Sequence, residues 1–385
     1  MTNRTALITG AAGFLGSFLT AALLNRGWQI YALVRSKPDQ LPQALLAHEL
    51  RGNPAVLERL TVLEGDVTRP LLGLTSSMVS RLQNVTDVWH CAANFEIGSS
   101  HRKAIVDTNV VGTKHALDLA HTLTGQSIRF HFLSTAYAGL QINDTCFERL
   151  SDRRDGAFRT SYEWTKSRAE HLVMAAREER HLDVRIYRPS VVSGHFTNGQ
   201  CLSYNGYQGV FRALYILRRM LQNAFGPDFD RNLRLRVAAD PDLRLNLVPV
   251  DYVIDAMICI ADQEISGTPI FNITHSTGNQ LSMLFERGTK ALALEGIQLS
   301  DKHDFRRRPK SSFERLFDRL ILFQAPYLLE SLSFDTTNYA QVVPGRLLHA
   351  PILSSEYFDR MNHVLLHRLQ EEFEVVATPT VDAVS

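Results

Sequence analysis

The chain has 385 residues, a formal net charge of +1, 45% apolar and 21% charged residues. That balance excludes a disordered or fibrous protein, and it excludes a global positive field that would recruit nucleic acid. The length allows one large α/β domain or two of ordinary size.

"MTNRTALITG" runs directly into an apolar stretch, leaving no room for a charged leader with a cleavage site. No later stretch reaches the roughly 18 uninterrupted apolar residues of a membrane span. The four cysteines (Cys91, Cys146, Cys201, Cys259) lack metal-ligand or redox spacing. A cytoplasmic, reducing location is the expectation. The histidines show no ligand spacing on one face, so no metal site is expected.

Apolar runs at 4–9, 28–34, 59–65, 86–92, 128–134 and 183–189 read as buried strands. Helical stretches at 14–26, 104–123 and 160–180 lie between them. Strands alternating with helices predict right-handed crossovers and a doubly wound parallel sheet. Residues 145–159 are polar and read as a loop. Past 194 the alternation breaks: a Gly/Asn/Ser-rich loop, a short helix at 210–223, a loop feeding a helix over 246–262, and a strand at 269–274. Residues 275–385 read as mainly helical. The fold class is therefore α/β, a Rossmann-type sheet with a smaller, mainly helical C-terminal substrate-binding cap. Residues 1–194, joined by 246–275, form the dinucleotide-binding core; 195–245 and 276–385 form the cap.

"LITGAAGFLGSFL" sets Gly10, Gly13 and Gly16 between the first strand and the first helix. The first glycine permits the turn, the second lets backbone approach a pyrophosphate, and the third allows close helix packing. The helix N-terminus offers free N–H groups to the phosphates. Phe14 and Leu15, between the last two glycines, join them as candidate cofactor contacts. A glycine-rich turn alone is weak evidence; strand before and amphipathic helix after supply the required context.

The second strand ends in "YALVRSKP", with Arg35, Ser36 and Lys37 where an enzyme that prefers NAD carries an acid. A guanidinium suits a 2′-phosphate, so NADPH is favoured over NADH; the alternative is a solvated arginine. Asp66 in "EGDVTRP", with Val67 beside it, is placed to accept from the adenine amino group, or is a plain turn residue. "HCAAN" ends the fourth strand with Ala92 and Ala93, small enough to let backbone pass close to the cofactor, or is simply a well-packed strand end.

The fifth strand ends in "FLSTAYAG", which puts Ser134 and Thr135 at the carboxyl edge of the sheet, where ligands of such sheets bind. "TSYEWTKSRAEHL" then places Tyr162 and Lys166 four apart, on one face of a helix. By chance alone such a pair is a surface helix with a lysine reaching into solvent. After a fitting glycine turn and strand-end hydroxyls it is a reduction site. The phenol protonates a carbonyl oxygen as hydride reaches carbon, and Lys166 lowers the phenol's pKa and holds the ribose.

The sequence resembles the extended short-chain dehydrogenases/reductases, and within them the fatty acyl-CoA reductase and thioester reductase branch. The resemblance rests on "TGAAGFLG", "YALVR", "HCAA", "DTNVVGT", "LSTAYAG", "YEWTK", "YRPSVVSG", "LNLVPVDYVIDAM" and "LSFDTTNYAQ", spanning about residues 5–275 and more thinly to 340. It implies that Thr135 or Ser134, Tyr162 and Lys166 are catalytic, with Thr135 preferred. It implies that Pro189, Ser190 and Val191 lie against the nicotinamide, and that Asn109 supports the active-site backbone.

The implied reaction is NADPH-dependent reduction of an acyl thioester, held on CoA or on a carrier protein through a phosphopantetheine arm, to an aldehyde or on to the alcohol. Arg212, Arg218, Arg219, Arg231, Arg234, Arg236 and the run 305–310 fit a phosphate-rich handle or an acidic carrier, or are solvated helix faces. Residues 313–334 are an acyl tunnel, a peripheral membrane contact or simply core. The alternatives are an extended reductase, dehydrogenase or epimerase acting on a ketone, sterol or sugar nucleotide, and a nucleotide-binding protein without turnover.

Overall fold

The computed structural model describes residues 4–48, 54–95, 101–123, 127–226 and 233–375. Seven parallel strands form the main sheet: β1 (Thr5–Thr9), β2 (Gln29–Val34), β3 (Leu60–Glu64), β4 (Asp87–His90), β5 (Arg129–Leu133), β6 (Asp183–Pro189) and β7 (Ile270–Ile273). Their order is β7-β6-β5-β4-β1-β2-β3. Most of their residues are buried on both faces, because parallel crossovers cover the sheet with helices.

Strand order reverses between β1 and β4, which pair directly, Ala6 opposite Asp87 and Thr9 opposite His90. Such a reversal opens a crevice beyond the carboxyl ends of the two strands. Helix α1 (Phe14–Asn25) leaves that crevice and packs on α2 (Val250–Ala261). Leu19, Leu23 and Leu24 of α1 are fully buried, each worth roughly 1.5–3 kcal/mol as an upper bound. Helix α3 (Gly112–Thr122) packs on α4 (Ser161–Arg180). Their Ala116, Leu117, Ala169 and Val173 share one apolar cluster with Val88, Phe130 and Ile186 of the sheet. The β1–α1–β2 and β4–α3–β5 crossovers travel in opposite directions along the sheet, so right-handedness puts their helices on opposite faces.

Two expectations change. The stretch expected as one helix over 104–123 is Arg102–Val106, a π-helical turn at Asp107–Val111, then α3. The expected loop at 145–159 begins with a strand, Thr145–Phe147, which pairs antiparallel with Leu140–Ile142 and parallel with Ser333–Phe334.

The chain divides into two compact units. The first is Met1–Ser190, Val250–Ser276 and Ser333–Ala350. Residues 333–350, expected with the cap, cluster with this unit because Glu148 holds them. Its buried carboxylate accepts from the backbone N–H groups of Asn272, Asn338 and Tyr339. The second unit is Val191–Pro249, Thr277–Leu332 and Pro351–Ser385. It contains α5 (Tyr207–Phe225), α6 (Leu281–Ala291), α7 (Ser312–Leu320) and α8 (Ser355–Val375), with α8 packed on both α6 and α5. Helix α7 opens with a capping box between Ser311 and Glu314. In 313–334, Phe317, Ile321 and Leu328 are core while Leu322 is exposed. No helix among the described residues is long and apolar enough to cross a membrane.

Candidate active site

The glycine turn sits at the reversal point. Gly10 has φ +70°, and a Cβ there would lie 2.6 Å from the backbone nitrogen of Ala92 at the end of β4. Only glycine fits. Gly13 caps α1 with extended backbone and no side-chain hydrogen bond, so the first N–H groups of the helix stay available to an anion. A Cβ on Gly16 would meet the Gly10 carbonyl oxygen at 2.0 Å, which fixes how closely α1 returns under the turn. Phe14 and Leu15 form the first turn of α1.

At the ends of β2 and β3, Arg35 is exposed and Asp66 half-buried. Asp66 accepts from the Thr68 backbone N–H (2.9 Å) and hydroxyl (2.8 Å). Burial pushes its carboxyl up, but those bonds and the nearby Arg35 and Arg69 guanidinium groups hold it below the ordinary range. Val67 is buried beside it. Arg35 and Asp66 therefore share one corner of the crevice. Ala92 and Ala93 follow β4 and are half-buried.

Below the turn runs a buried polar chain. The Thr113 hydroxyl donates to the Asn109 carbonyl (2.7 Å), so it accepts from His90 Nε2 (3.2 Å). His90 Nδ1 is then the acceptor for the Thr9 hydroxyl (2.8 Å), which itself accepts from the Ala92 N–H (3.3 Å). Burial and the Lys166 ammonium push His90 down to about 3, so the ring is neutral, as this assignment requires.

Asn109 is turned inward by the π-helical turn. Its amide accepts from the Asn94 N–H (2.7 Å) and donates to the Asn94 carbonyl and to the Thr165 hydroxyl, both at 3.0 Å. One side chain thus ties the segment after β4 to α4. Tyr162 stands in the first turn of α4, its ring stacked on Phe95 at 4.4 Å between centroids. The Thr160 hydroxyl caps this helix by accepting from the Glu163 N–H at 3.2 Å.

Lys166 is fully buried, with Nζ donating to the Leu133 carbonyl at the end of β5 (2.7 Å). Burial pushes its ammonium down to about 8, against the opposing pull of Cys91 and Glu170. The phenol of Tyr162 moves the other way from expectation. Burial, with the neighbouring Glu163 carboxylate, raises it well above its ordinary range. Tyr162 is thus a neutral hydrogen-bond donor at ordinary pH.

Of the two strand-end hydroxyls, Ser134 is buried and donates to Glu170 Oε1 at 2.5 Å. The Thr135 hydroxyl makes only a long contact from the Tyr137 N–H, 3.5 Å. Pro189 ends β6, and the Ser190 N–H donates to the Ile273 carbonyl. The Ser190 hydroxyl is buried with no hydrogen-bond partner among the described residues. Val191 begins the second unit and pairs with Leu247.

Several cations expected to greet an anionic handle are paired within the second unit. Arg212 bonds Glu372 and Arg236 bonds Glu314; Arg307 bonds Asp304 and Lys310 bonds Asp318. Arg219 lies over the Phe373 ring, Arg218 is half-buried, Arg234 is exposed, and Arg231 lies outside the described residues. Among the described residues, no group of His, Cys, Asp and Glu gathers to hold a metal. Sequence reading missed Phe95, Thr165, Glu170 and Arg188. Glu170 was detectable, since it repeats the four-residue step from Tyr162 through Lys166.

Residues 8–257 match the NAD-binding family model described as male sterility protein. The chain belongs to this family. This male sterility-family chain is 28% identical over 299 residues to fatty acyl-CoA reductase 1 of Gallus gallus, 67% of this chain and 54% of that protein. It spans about half the length of the fatty acyl-CoA reductases it matches. It is 31% identical over 209 residues to a linear gramicidin synthase polypeptide of Brevibacillus parabrevis, 51% of this chain and 4% of that protein. The terminal R domain from the myxalamid PKS-NRPS pathway superposes with TM-score 0.75 at 24% identity, covering 95% of this chain and 91% of that one. UDP-glucuronic acid 4-epimerase from Bacillus cereus in complex with NAD gives TM-score 0.62 at 17% identity, covering 95% and 100%. The fold is that of the extended short-chain dehydrogenases/reductases.

A nicotinamide dinucleotide fits what is present. The uncapped start of α1, a turn with no room for side chains and the partnerless Ser190 hydroxyl are polar groups awaiting a ligand.

Proposed function

We propose that the family member reduces acyl thioesters with NADPH. When bound, the reduced nicotinamide supplies hydride to the acyl carbonyl carbon. The chain's own residues manage the oxygen and the proton. Tyr162, a neutral phenol, donates to the carbonyl oxygen as negative charge grows there, and Thr135 is the second donor. Ser134 is committed to Glu170, which leaves Thr135 as the hydroxyl for substrate. Lys166, protonated below about pH 8, keeps a positive charge behind the phenol and serves the ribose. The tetrahedral adduct expels the thiol, so one thioester, one hydride and one proton give an aldehyde and a free thiol.

Arg35 at the mouth of β2 supports NADPH over NADH. In the second unit the exposed Arg306 and Arg308 are the cations of the run 306–310 offered to phosphates of CoA or to an acidic carrier. The free cysteines suit a reducing compartment such as the cytoplasm.

One observation carries the reading. Asn109 and Lys166 pin the helix that bears Tyr162 to the segment after β4 and to the end of β5, the same sheet edge on which the glycine turn opens. The test supplies NADPH with a panel of acyl-CoAs and a panel of ketones, following cofactor oxidation, free thiol and the products. Stoichiometric thiol release with acyl-CoA supports thioester reduction, and the aldehyde-to-alcohol ratio gives the extent of reduction. Turnover of ketones alone overturns it.

A further inference from the structure

We propose that Glu170 is a positioning residue of the reductive centre, locking the strand end that carries Thr135 to the helix that carries Tyr162 and Lys166. The inference rests on the function proposed above. Tyr162, Lys166 and Glu170 recur every fourth residue and share one face of α4. The last two make consecutive polar ties to consecutive residues of the sheet edge. Lys166 Nζ donates to the Leu133 carbonyl at 2.7 Å, and Glu170 Oε1 accepts from Ser134 Oγ at 2.5 Å. The Ser134 N–H is itself fixed on the Tyr187 carbonyl of β6 at 2.7 Å. Thr135 is the next residue.

Arg188 completes the arrangement. Its Nε donates to Glu170 Oε1 (2.7 Å) and its Nη2 to Oε2 (2.6 Å), a two-pronged pair with both side chains fully buried. The same guanidinium donates to the Phe147 and Arg149 carbonyls. A Cβ on Gly139 would stand 2.8 Å from its Nη1. A buried ion pair is a poor source of net stability, because an apolar pair of the same size does as well. What it supplies is registry. Here the registry joins β5, β6 and α4 at the one place where the proposed donors must keep their spacing, and a misplacement of about 1 Å costs on the order of 100-fold in rate. Glu170 also faces the buried Lys166 ammonium and favours its charged form.

The experiment compares Ser134→Ala, Glu170→Gln and the double variant with the wild-type chain, under NADPH and an acyl-CoA, after circular dichroism has confirmed folding. Ser134→Ala is expected to lower kcat about tenfold to 100-fold, to leave KM and NADPH affinity within about twofold, and to leave the alkaline limb of the pH profile in place. Glu170→Gln is expected to lower kcat similarly and to move the alkaline limb to lower pH. The double variant should be no worse than the poorer single variant, because both changes act on the same Ser134–Glu170–Arg188 arrangement. Additive losses, wild-type kcat in Ser134→Ala, or an unmoved limb in Glu170→Gln each overturn the proposal. If Glu170→Gln does not fold, Ser134→Ala decides alone: a selective loss of kcat supports the proposal and an unchanged kcat ends it. Tyr162→Phe separates the two readings. An inactive Tyr162→Phe beside an unaffected Ser134→Ala removes only the positioning role, whereas an active Tyr162→Phe removes the proposed function.

Discussion

Tyr162 and Lys166 are legible as a pair, but their electrostatics are not. The spacing says that they share a face; only the fold says that the ammonium bonds a strand carbonyl and that the phenol is shifted upward by burial. Replacing the phenol should therefore remove a donor rather than an anion. Tyr162→Phe is expected to cut turnover by at least about 100-fold while NADPH affinity, read by fluorescence titration, changes less than about twofold. Near-wild-type turnover would end its catalytic assignment. For Lys166 the sign is fixed by a value depressed to about 8: the charged form is present below that pH and lost above it. Activity that depends on the ammonium should fall on the alkaline side, with a limb near 8 in kcat/KM. Arg35 makes a different claim, about the cofactor's far end. Arg35→Ala should weaken NADPH about tenfold or more and NADH hardly at all, since a charge-assisted bond to phosphate is worth about 1.5–3 kcal/mol. Equal losses for both cofactors would return Arg35 to the solvent.

The strands are the elements the sequence announces most clearly, because a parallel sheet covered on both faces writes itself as continuous apolar runs. All seven expected runs are strands of the main sheet. The elements that escape notice are those whose pairing is remote or whose irregularity is functional. Thr145–Phe147 is three residues long, and its parallel partner Ser333–Phe334 arrives nearly half a chain later. The π-helical turn at Asp107–Val111 leaves no mark in hydrophobic periodicity, since one extra residue per turn only rotates the pattern. Its product is the inward amide of Asn109. Asn109→Ala removes three hydrogen bonds at once, two of them to the Asn94 backbone. We expect a loss of about 1–3 kcal/mol in urea unfolding and a drop in kcat. A variant with wild-type stability would show that the turn is held by its neighbours alone.

Across the whole molecule, Glu148 is the least legible residue with the widest reach. It sits in a polar stretch that reads as loop, yet it clasps the segment 333–350 to the first unit. Burial pushes its carboxyl up, the backbone donors from Asn272 and Asn338 pull it down, and Asp335 raises it again, leaving it at about 7 against an ordinary 4.5. The folded chain thus binds more protons here than the unfolded one between those values. The stability this group contributes is complete below the lower value and declines as pH climbs through the upper one. Glu148→Gln should flatten that part of the melting-temperature profile between about pH 5 and about pH 8; a profile parallel to the wild type would show that another group sets the slope. The clasp belongs to a wider pattern, in which the chain changes unit at 190/191, 249/250, 276/277, 332/333 and 350/351. A single junction between two parental genes can pass the second unit on whole only if it falls before residue 191, and it then carries 250–276 and 333–350 of the first unit along. Neither unit can therefore be exchanged by itself in a single cross.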